Sequence, residues 1–241
     1  MQIFAKTDIG KVRDINQDAF YINTLSDGSA LAIVCDGMGG AVAGDVASKT
    51  AVDVISQYMI NSYSPSMDSE EIIKLMNNAV ISANIEIYDL SCKDERLSGM
   101  GTTVVMAVVC ENQAVVCNVG DSRAYLTDDK LNQITRDHSV VQSLVESGKL
   151  SPEQAKVHPE KNVITRALGV EADVLTDSYT VDFNKNSKIL LCTDGMSNYV
   201  PEEEIFNIVK NNNIDTVTDL LIEKANQGGG KDNITVADVS Y

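Results

Sequence analysis

Between residues 43 and 90, two long segments with apolar residues at helical spacing follow one another with no strand between them. AGDVASKTAVDVISQYMI (43–60) and SEEIIKLMNNAVISANIEIYDL (69–90) each carry one apolar face, and Ser69 is the expected N-cap of the second. A parallel doubly wound sheet needs a helix between most of its strands, so two helices in succession argue against it. The flanking strands agree. Residues 2–8, 19–25 and 30–35 read as strands, with Asp27-Gly28 turning the last two into a hairpin. A β-rich block follows at 102–110, 113–121, 123–127 and 130–135, joined by turns as short as ENQ and DD, which predicts one antiparallel meander. Beyond it, SVVQSLVESGK reads as helix and SPEQA as a capped turn. Strands are expected at 173–183, 187–193 and 233–240, and helices near 202–210 and 215–226. Hairpin-linked strands and two pairs of amphipathic helices predict an α+β fold, a four-layer αββα sandwich of two antiparallel β-sheets flanked by pairs of helices. With no low-complexity tract or long linker, a single domain over 1–241 is expected.

Charge and cysteines narrow the function. The formal net charge of −16 argues against a nucleic-acid partner, which would need clustered Lys and Arg, and against an anionic membrane surface. No apolar run approaches the roughly 20 residues of a membrane span. MQIFAKTDIG lacks the basic-then-apolar pattern of a secretory signal, so a soluble cytoplasmic protein is expected. Of the five cysteines, Cys35, Cys110, Cys117 and Cys192 sit in or beside apolar β-like runs and Cys92 does not. With no C-x-x-C, they read as small thiols in a reducing compartment, not as a disulfide framework or a zinc site.

Five acids occupy abrupt strand–loop boundaries. Asp18 precedes AFYINT, Asp36 follows LAIVC, Asp121 follows AVVCNVG, Asp194 follows ILLCT and Asp232 precedes NITVADV. Any one of them alone reads as a turn residue whose side chain bonds nearby N–H groups, as Asp27 does in the hairpin. Five in one domain carry more, because strand ends in a sandwich converge on one edge. Carboxylates gathered there repel one another unless a cation lies between them. All-oxygen ligation favours Mg²⁺ or Mn²⁺ over zinc. With one Asp bridging two ions about 4 Å apart, such a site suits two-metal hydrolysis, in which a bridging water is acidified and the resulting hydroxide attacks. Arg13, in RDINQD (13–18), is the candidate phosphate clamp, since guanidinium matches two phosphate oxygens; standing alone it would read as a surface charge.

The loop IVCDGMGG (33–40) resembles a phosphate cradle because of its glycines, but its near-copy LLCTDGMSN (190–198) shares only the apolar strand ending in Asp-Gly. The acid, not the glycine run, carries the signal. A dinucleotide-binding reading of DGMGGAVAG fails at the sixth position, Val42, and because two helices follow where a strand–helix–strand unit is needed. VGDSRA approaches a nucleophile elbow, but the segment after Ser122 reads as strand where that motif requires a helix. The two histidines, His138 and His158, read as local hydrogen-bonding residues.

These motifs in this order resemble the metal-dependent protein phosphatases, the PPM or type 2C family. The matching stretches are RDINQD (13–18), VCDGMGG (34–40), SGMGTTVV (98–105), VGDSRAY (119–125), RDHS (136–139), TRALG (165–169), LLCTDGMSN (190–198) and GGGKDNITV (228–236). They span essentially the whole chain, which is similar in size to the bacterial stand-alone serine/threonine phosphatases. The resemblance implies the αββα fold, hydrolysis of phosphoserine and phosphothreonine, and two Mn²⁺ or Mg²⁺ ions. It further implies that Asp36 bridges both ions, that the Gly37 carbonyl joins the first, and that Asp194 and Asp232 complete the second. Asp18 would act through metal-bound water, and Arg13 would hold the substrate phosphate. A third, weaker ion would fall on Asp121 and Asp194. Residues 136–169 match a mobile flap beside the active site that influences substrate choice. The implied partners are phosphoprotein substrates and an opposing membrane-bound bacterial serine/threonine kinase. No oligomer interface is read, so a monomer is expected.

The chain departs from the family pattern in places. Met38 stands where many eukaryotic members carry a His proposed as general acid, which leaves the leaving-group proton to another donor. Asp18 occupies a position often held by Glu. Asn198 stands where many members carry an Asp near the third ion. The competing reading is a catalytically inactive member of the same fold that binds phosphoproteins. The intact set Arg13, Asp36, Asp194 and Asp232 favours an enzyme.

Overall fold

The computed structural model describes residues 1–40 and 43–241; Ala41 and Val42, the latter the failed sixth position of the glycine loop, lie outside the described residues. The chain opens with strands β1 (Gln2–Asp8), β2 (Asp18–Thr24) and β3 (Ala30–Met38), followed by helices α1 (Ala43–Ser62) and α2 (Ser69–Lys93). Then come β4 (Gly101–Thr102), β5 (Val104–Val109), β6 (Gln113–Val119), β7 (Arg123–Thr127) and β8 (Leu131–Gln133). Two short helices, α3 (Val140–Glu146) and α4 (Pro152–Lys156), precede β9 (Asp177–Asp182) and β10 (Lys188–Cys192). The chain ends with α5 (Asp194–Ser197), α6 (Glu202–Asn211), α7 (Ile214–Gln227) and β11 (Ile234–Ser240).

One sheet has the order β1-β11-β10-β7-β8 and the other β2-β3-β5-β6-β9, with β4 paired to the end of β3. Every pairing is antiparallel. Alternation along the strands builds three apolar layers. Ala30, Ala32 and Val34 of β3 meet Ile189, Leu191, Ala237 and Val239 of the facing sheet. The intervening residues Leu31, Ile33 and Cys35 point the other way, into α1 and α2 at Ile55, Met59, Met76 and Val80. On the far side, Leu190, Cys192 and Val236 pack under α6 and α7 at Ile205, Val209, Val217 and Leu221. The result is the expected helix–sheet–sheet–helix sandwich. All five cysteines are free, with Cys35, Cys117 and Cys192 buried. Among the described residues no helix is long and apolar enough to cross a membrane.

The details depart from the sequence reading in four places. The N-cap of α2 is Asp68, not Ser69: its carboxylate accepts from Glu71 N while Glu71 reaches back to Asp68 N, a reciprocal capping box. The expected meander is split. β5 and β6 pair in one sheet, whereas β7 pairs with β10 in the other, so the link Gly120-Asp121-Ser122 crosses between sheets. His138 explains why this short link is a corner and not a hairpin. Its Nδ1 accepts from Gly120 N (3.0 Å) and its own N–H donates to Gly120 O (2.9 Å), replacing ladder bonds. The strand expected from 173 begins at Asp177, because the buried Asn84 amide of α2 donates to the carbonyls of Glu171 and Ala172 (3.0 Å each) and pins that backbone elsewhere. The helical turn α5 was unexpected; it starts at one of the five acids.

Candidate active site

Strand pairing fixes the centre of the site. Asp18 on β2 and Asp36 on β3 are register partners. The Asp36 backbone is held by its neighbours: its N–H donates to Thr103 Oγ1 (3.0 Å), and its carbonyl accepts from Thr103 N and Thr102 Oγ1 (2.9 Å each). At the ends of strands in the facing sheet, Asp194 follows β10 as the first residue of α5, and Asp232 lies two residues before the start of β11. The β6–β7 corner delivers Asp121. Arg13 arrives on the loop between β1 and β2 and donates from Nη2 to Asp232 Oδ2 at 2.9 Å.

Arg13, Asp36, Gly37, Asp121, Asp194 and Asp232 all line one cleft of about 260 Å³. Asp18 lies behind it and is only 5 % exposed. The residues singled out in the sequence, drawn from β2 and β3, the start of α5 and three loops, therefore meet at one edge of the sandwich. Met38 also lines the cleft, and neither histidine does.

Burial and mutual repulsion hold Asp18, Asp36, Asp121 and Asp194 far from ordinary carboxylate behaviour. Burial pushes Asp36 well above the usual range, and the charges of Asp18, Asp194, Asp121 and Asp232 add to it. Asp18 is pushed up to about 7 by burial, against the opposing hydrogen bonds from Thr235 and Thr193. Asp121 is pushed up to about 8 by burial, then by Asp194 and Asp137. Asp194 reaches about 6 through burial and Asp232, with Arg123 and Arg13 pulling it back. Asp18 Oδ1 is buried without a hydrogen-bond partner. Such a set is complementary to a divalent cation, whose charge reverses each of these shifts. Oxygen donors suit Mg²⁺ and Mn²⁺. Among the described residues no three acid, His or Cys side chains close on one point as a full cage. An ion here would retain water in its shell, as Mg²⁺ usually does.

Several positioning residues carried no assigned role in the sequence reading. Thr193 and Thr235 donate their hydroxyls to Asp18 Oδ2 at 2.9 and 2.7 Å, and Thr235 N donates to Thr193 Oγ1 at 3.0 Å. Asn233 clamps the Arg13 loop: its Nδ2 donates to the carbonyls of Ile9 and Ile15 (3.0 Å each), and its Oδ1 accepts from Gln17 N (2.9 Å). Arg123 is a second cation near the acids after Arg13, bonded bidentately to Asp137 at 2.7–3.1 Å. Asn198 donates to Asp194 Oδ2 at 3.0 Å, so an amide stands against one of that acid's oxygens. The signal for the threonines was present: each lies one or three residues from a site Asp, inside or beside an otherwise apolar strand.

The threonines give a direct expectation. Thr193→Val/Thr235→Val keeps the β-branched shape but removes both donors to Asp18. Asp18 is expected to act through metal-bound water, and loss of outer-shell groups that orient a metal site typically costs 10–100-fold. Metal-dependent turnover should therefore fall by about that factor, with the thermal transition retained. Mn²⁺ titrations of initial rates would show it, and an unchanged rate would mean that Asp18 is dispensable.

Comparison with known proteins agrees with this geometry. The chain matches the protein phosphatase 2C family over residues 11–219. It is 42% identical over 233 residues to the serine/threonine phosphatase stp of Listeria monocytogenes serotype 4b (strain F2365), covering 96% of this chain and 92% of that one. The crystal structure of serine/threonine phosphatase Stp1 from Staphylococcus aureus superposes with a TM-score of 0.94 at 34% identity, covering 100% of this chain and 94% of that one. The catalytic domain of the serine/threonine protein phosphatase PstP, solved with 2 manganese ions, gives a TM-score of 0.87 at 32% identity, covering 98% and 96%. An acid-lined edge between two antiparallel sheets, flanked by paired helices and matched in sequence from the Arg13 loop into α7, places this chain in the protein phosphatase 2C family.

Proposed function

We propose that this chain is a protein serine/threonine phosphatase that hydrolyses phosphoserine and phosphothreonine in proteins with two Mn²⁺ or Mg²⁺ ions. The observation that carries this reading is the convergence of Arg13 and four acids on one cleft, with the unpartnered Asp18 Oδ1 behind it. Asp36, the Gly37 carbonyl, Asp194 and Asp232 would hold the two ions, with Asp36 shared between them. Asp18 would act through metal-bound water, and Asp121 with Asp194 would hold a third, weaker ion. The bound ions supply Lewis-acid activation of water and of the phosphoryl group.

The chain's own residues do the rest. Arg13 spends one N–H on Asp232, at 48 % side-chain exposure, and its remaining donors are available to phosphate oxygens. Thr193 and Thr235 hold Asp18 in one rotamer. Because Met38 is apolar and no imidazole lines the cleft, the donor of the proton to the leaving alkoxide stays unassigned, with water as one candidate. Residues 136–169 form the flap: its ends are anchored by buried His138, Ser139 and Leu168, and between them α3 and α4 contribute no buried residue, which suits a segment that moves with substrate. The family resemblance supports an opposing serine/threonine kinase as counterpart.

The test is hydrolysis of a phosphothreonine peptide and of p-nitrophenyl phosphate by the purified full chain. Turnover is expected with Mn²⁺, at least 100-fold above the rate in EDTA, and restorable by adding the ion back. Activity that persists unchanged in EDTA would overturn the metal mechanism. No activity at any Mn²⁺ or Mg²⁺ concentration, in a folded protein, would favour the inactive phosphoprotein-binding reading.

A further inference from the structure

A second groove, of about 200 Å³, adjoins the acid-lined cleft, and Met38 and Ile164 line both. Its lining is partly apolar: Val170 and Leu175, 48% and 73% exposed, stand beside Met38 and Ile164. Its rim is acidic, formed by Glu171 and Asp173. Among the described residues of the lining the one basic side chain, Arg166, is turned to Asp177 at 2.9 Å and so does not offset the rim. The rim backbone is fixed in place. The Asn84 side chain, 1 % exposed on α2, donates to the carbonyls of Glu171 and Ala172 and accepts from Gly169 N at 2.7 Å. Thr102 and Leu168 exchange backbone bonds at 3.1 and 2.8 Å just before it.

We infer that this groove receives the side chain of a lysine or arginine lying two or three residues from the phosphorylated serine or threonine of the substrate; the inference rests on the phosphatase reading above. Met38 is two residues beyond Asp36 on β3, about 7 Å along the strand. An extended peptide covers that distance in two or three residues. A long basic side chain matches both halves of the groove: its aliphatic stem lies along Met38, Val170 and Leu175, and its cationic head reaches Glu171 and Asp173. A purely apolar neighbour would leave the two carboxylates unmatched. An acidic neighbour would be repelled by them. Glu171 and Asp173 do not line the acid cleft, so they select substrate without taking part in hydrolysis.

The experiment compares kcat/KM for phosphothreonine peptides that differ only in carrying Lys/Arg or Glu at the positions flanking the phosphoresidue. The wild-type chain should prefer the basic peptide by roughly three- to thirtyfold at low ionic strength, the range two partly exposed charge pairs can give, and by less at high salt. Glu171→Lys/Asp173→Lys should abolish or invert this preference while leaving hydrolysis of p-nitrophenyl phosphate within about twofold. The control Glu203→Lys/Asp215→Lys makes the same change of net charge on α6 and α7, in the opposite helical layer, and should keep the preference. Indifference of the wild-type chain to flanking charge would overturn the inference. So would a preference that survives the groove variant, or one that the control pair also removes. Because p-nitrophenyl phosphate does not reach the groove, failure to hydrolyse it would count against the phosphatase reading instead.

Discussion

Asp36→Asn is expected to lower Mn²⁺-dependent turnover by about 10³-fold or more and, at the same time, to make the metal-free protein more stable. The first effect follows from position. Asp36 is the acid whose charge is coupled to all four others, and even the outer partners of metal ligands commonly cost 10–100-fold when removed. The second follows from linkage. A carboxylate whose pKa is higher in the folded state binds more protons there at intermediate pH. Its contribution to stability is full below the unfolded value near 4 and is lost as pH rises through the folded value. Asp194, Asp18 and Asp121 have folded values of about 6, 7 and 8, and Asp36 is shifted the same way. In EDTA the melting temperature should therefore fall from pH 5 to pH 8. The Asn variant, lacking one of the repelling charges, should show a shallower fall. Mn²⁺ should raise the wild-type melting temperature most at the upper end of that window, since a ligand that binds only the native state stabilises it by mass action. Calorimetry at several pH values, with and without the ion, reads all three. A flat metal-free profile in the wild type would show that the acids are not electrostatically strained, and the cation argument would go with it.

The contrast between what could and could not be read from the sequence is physical. Helix pairs and strands were legible because burial of one face imposes a period on the residues, and that period survives in AGDVASKTAVDVISQYMI as it does in LAIVC. The five acids were legible because they break apolar runs abruptly. The split of the β-block was not. A short link such as Gly120-Asp121-Ser122 has the same local chemistry whether it closes a hairpin or crosses between sheets. The deciding partner, His138, lies 18 residues further on. The pinning of 169–172 by Asn84 is likewise a contact across 85 to 88 residues. A polar residue on the buried face of a helix was the available hint, but nothing in the sequence said what it would bond. Asp68 displaced Ser69 as the cap of α2 because two acceptable capping residues stood side by side, and only the reach of Glu71 distinguishes them.

The repeated Asp-Gly of the two site strands carries the second large expectation, and it concerns the glycines. Gly37 and Gly195 follow the acids at 36 and 194, and each is pressed against backbone from another element. A Cβ on Gly37 would stand 2.0 Å from the carbonyl oxygen of Gly44 in α1 and 2.6 Å from that of Gln17. A Cβ on Gly195 would stand 1.9 Å from the carbonyl oxygen of Asn233. Backbone cannot swing aside as a side chain can, so relief requires strand β3 to lift from α1, or α5 to lift from the start of β11. Overpacking of this kind costs about 1–3 kcal/mol and sometimes more, which for a domain of this size is roughly 2–4 °C of melting temperature per kcal/mol. Gly195→Ala separates Asp194 from Asp232, and it disturbs Asn233, which clamps the Arg13 loop. It should therefore cost activity as well: about 100-fold in kcat/KM, not recovered by saturating Mn²⁺, because ligand spacing and not ion supply is at fault. Gly37→Ala should act similarly through Asp36. Gly40→Ala is the internal comparison, since a Cβ there meets nothing within 4 Å, and it should leave both melting temperature and turnover close to wild type. If all three alanine variants behaved alike, the two Asp-Gly pairs would be ordinary turns. If the first two fail and the third does not, the glycines of IVCDGMGG divide by contact: the one beside the acid shapes the metal edge, and the last does not.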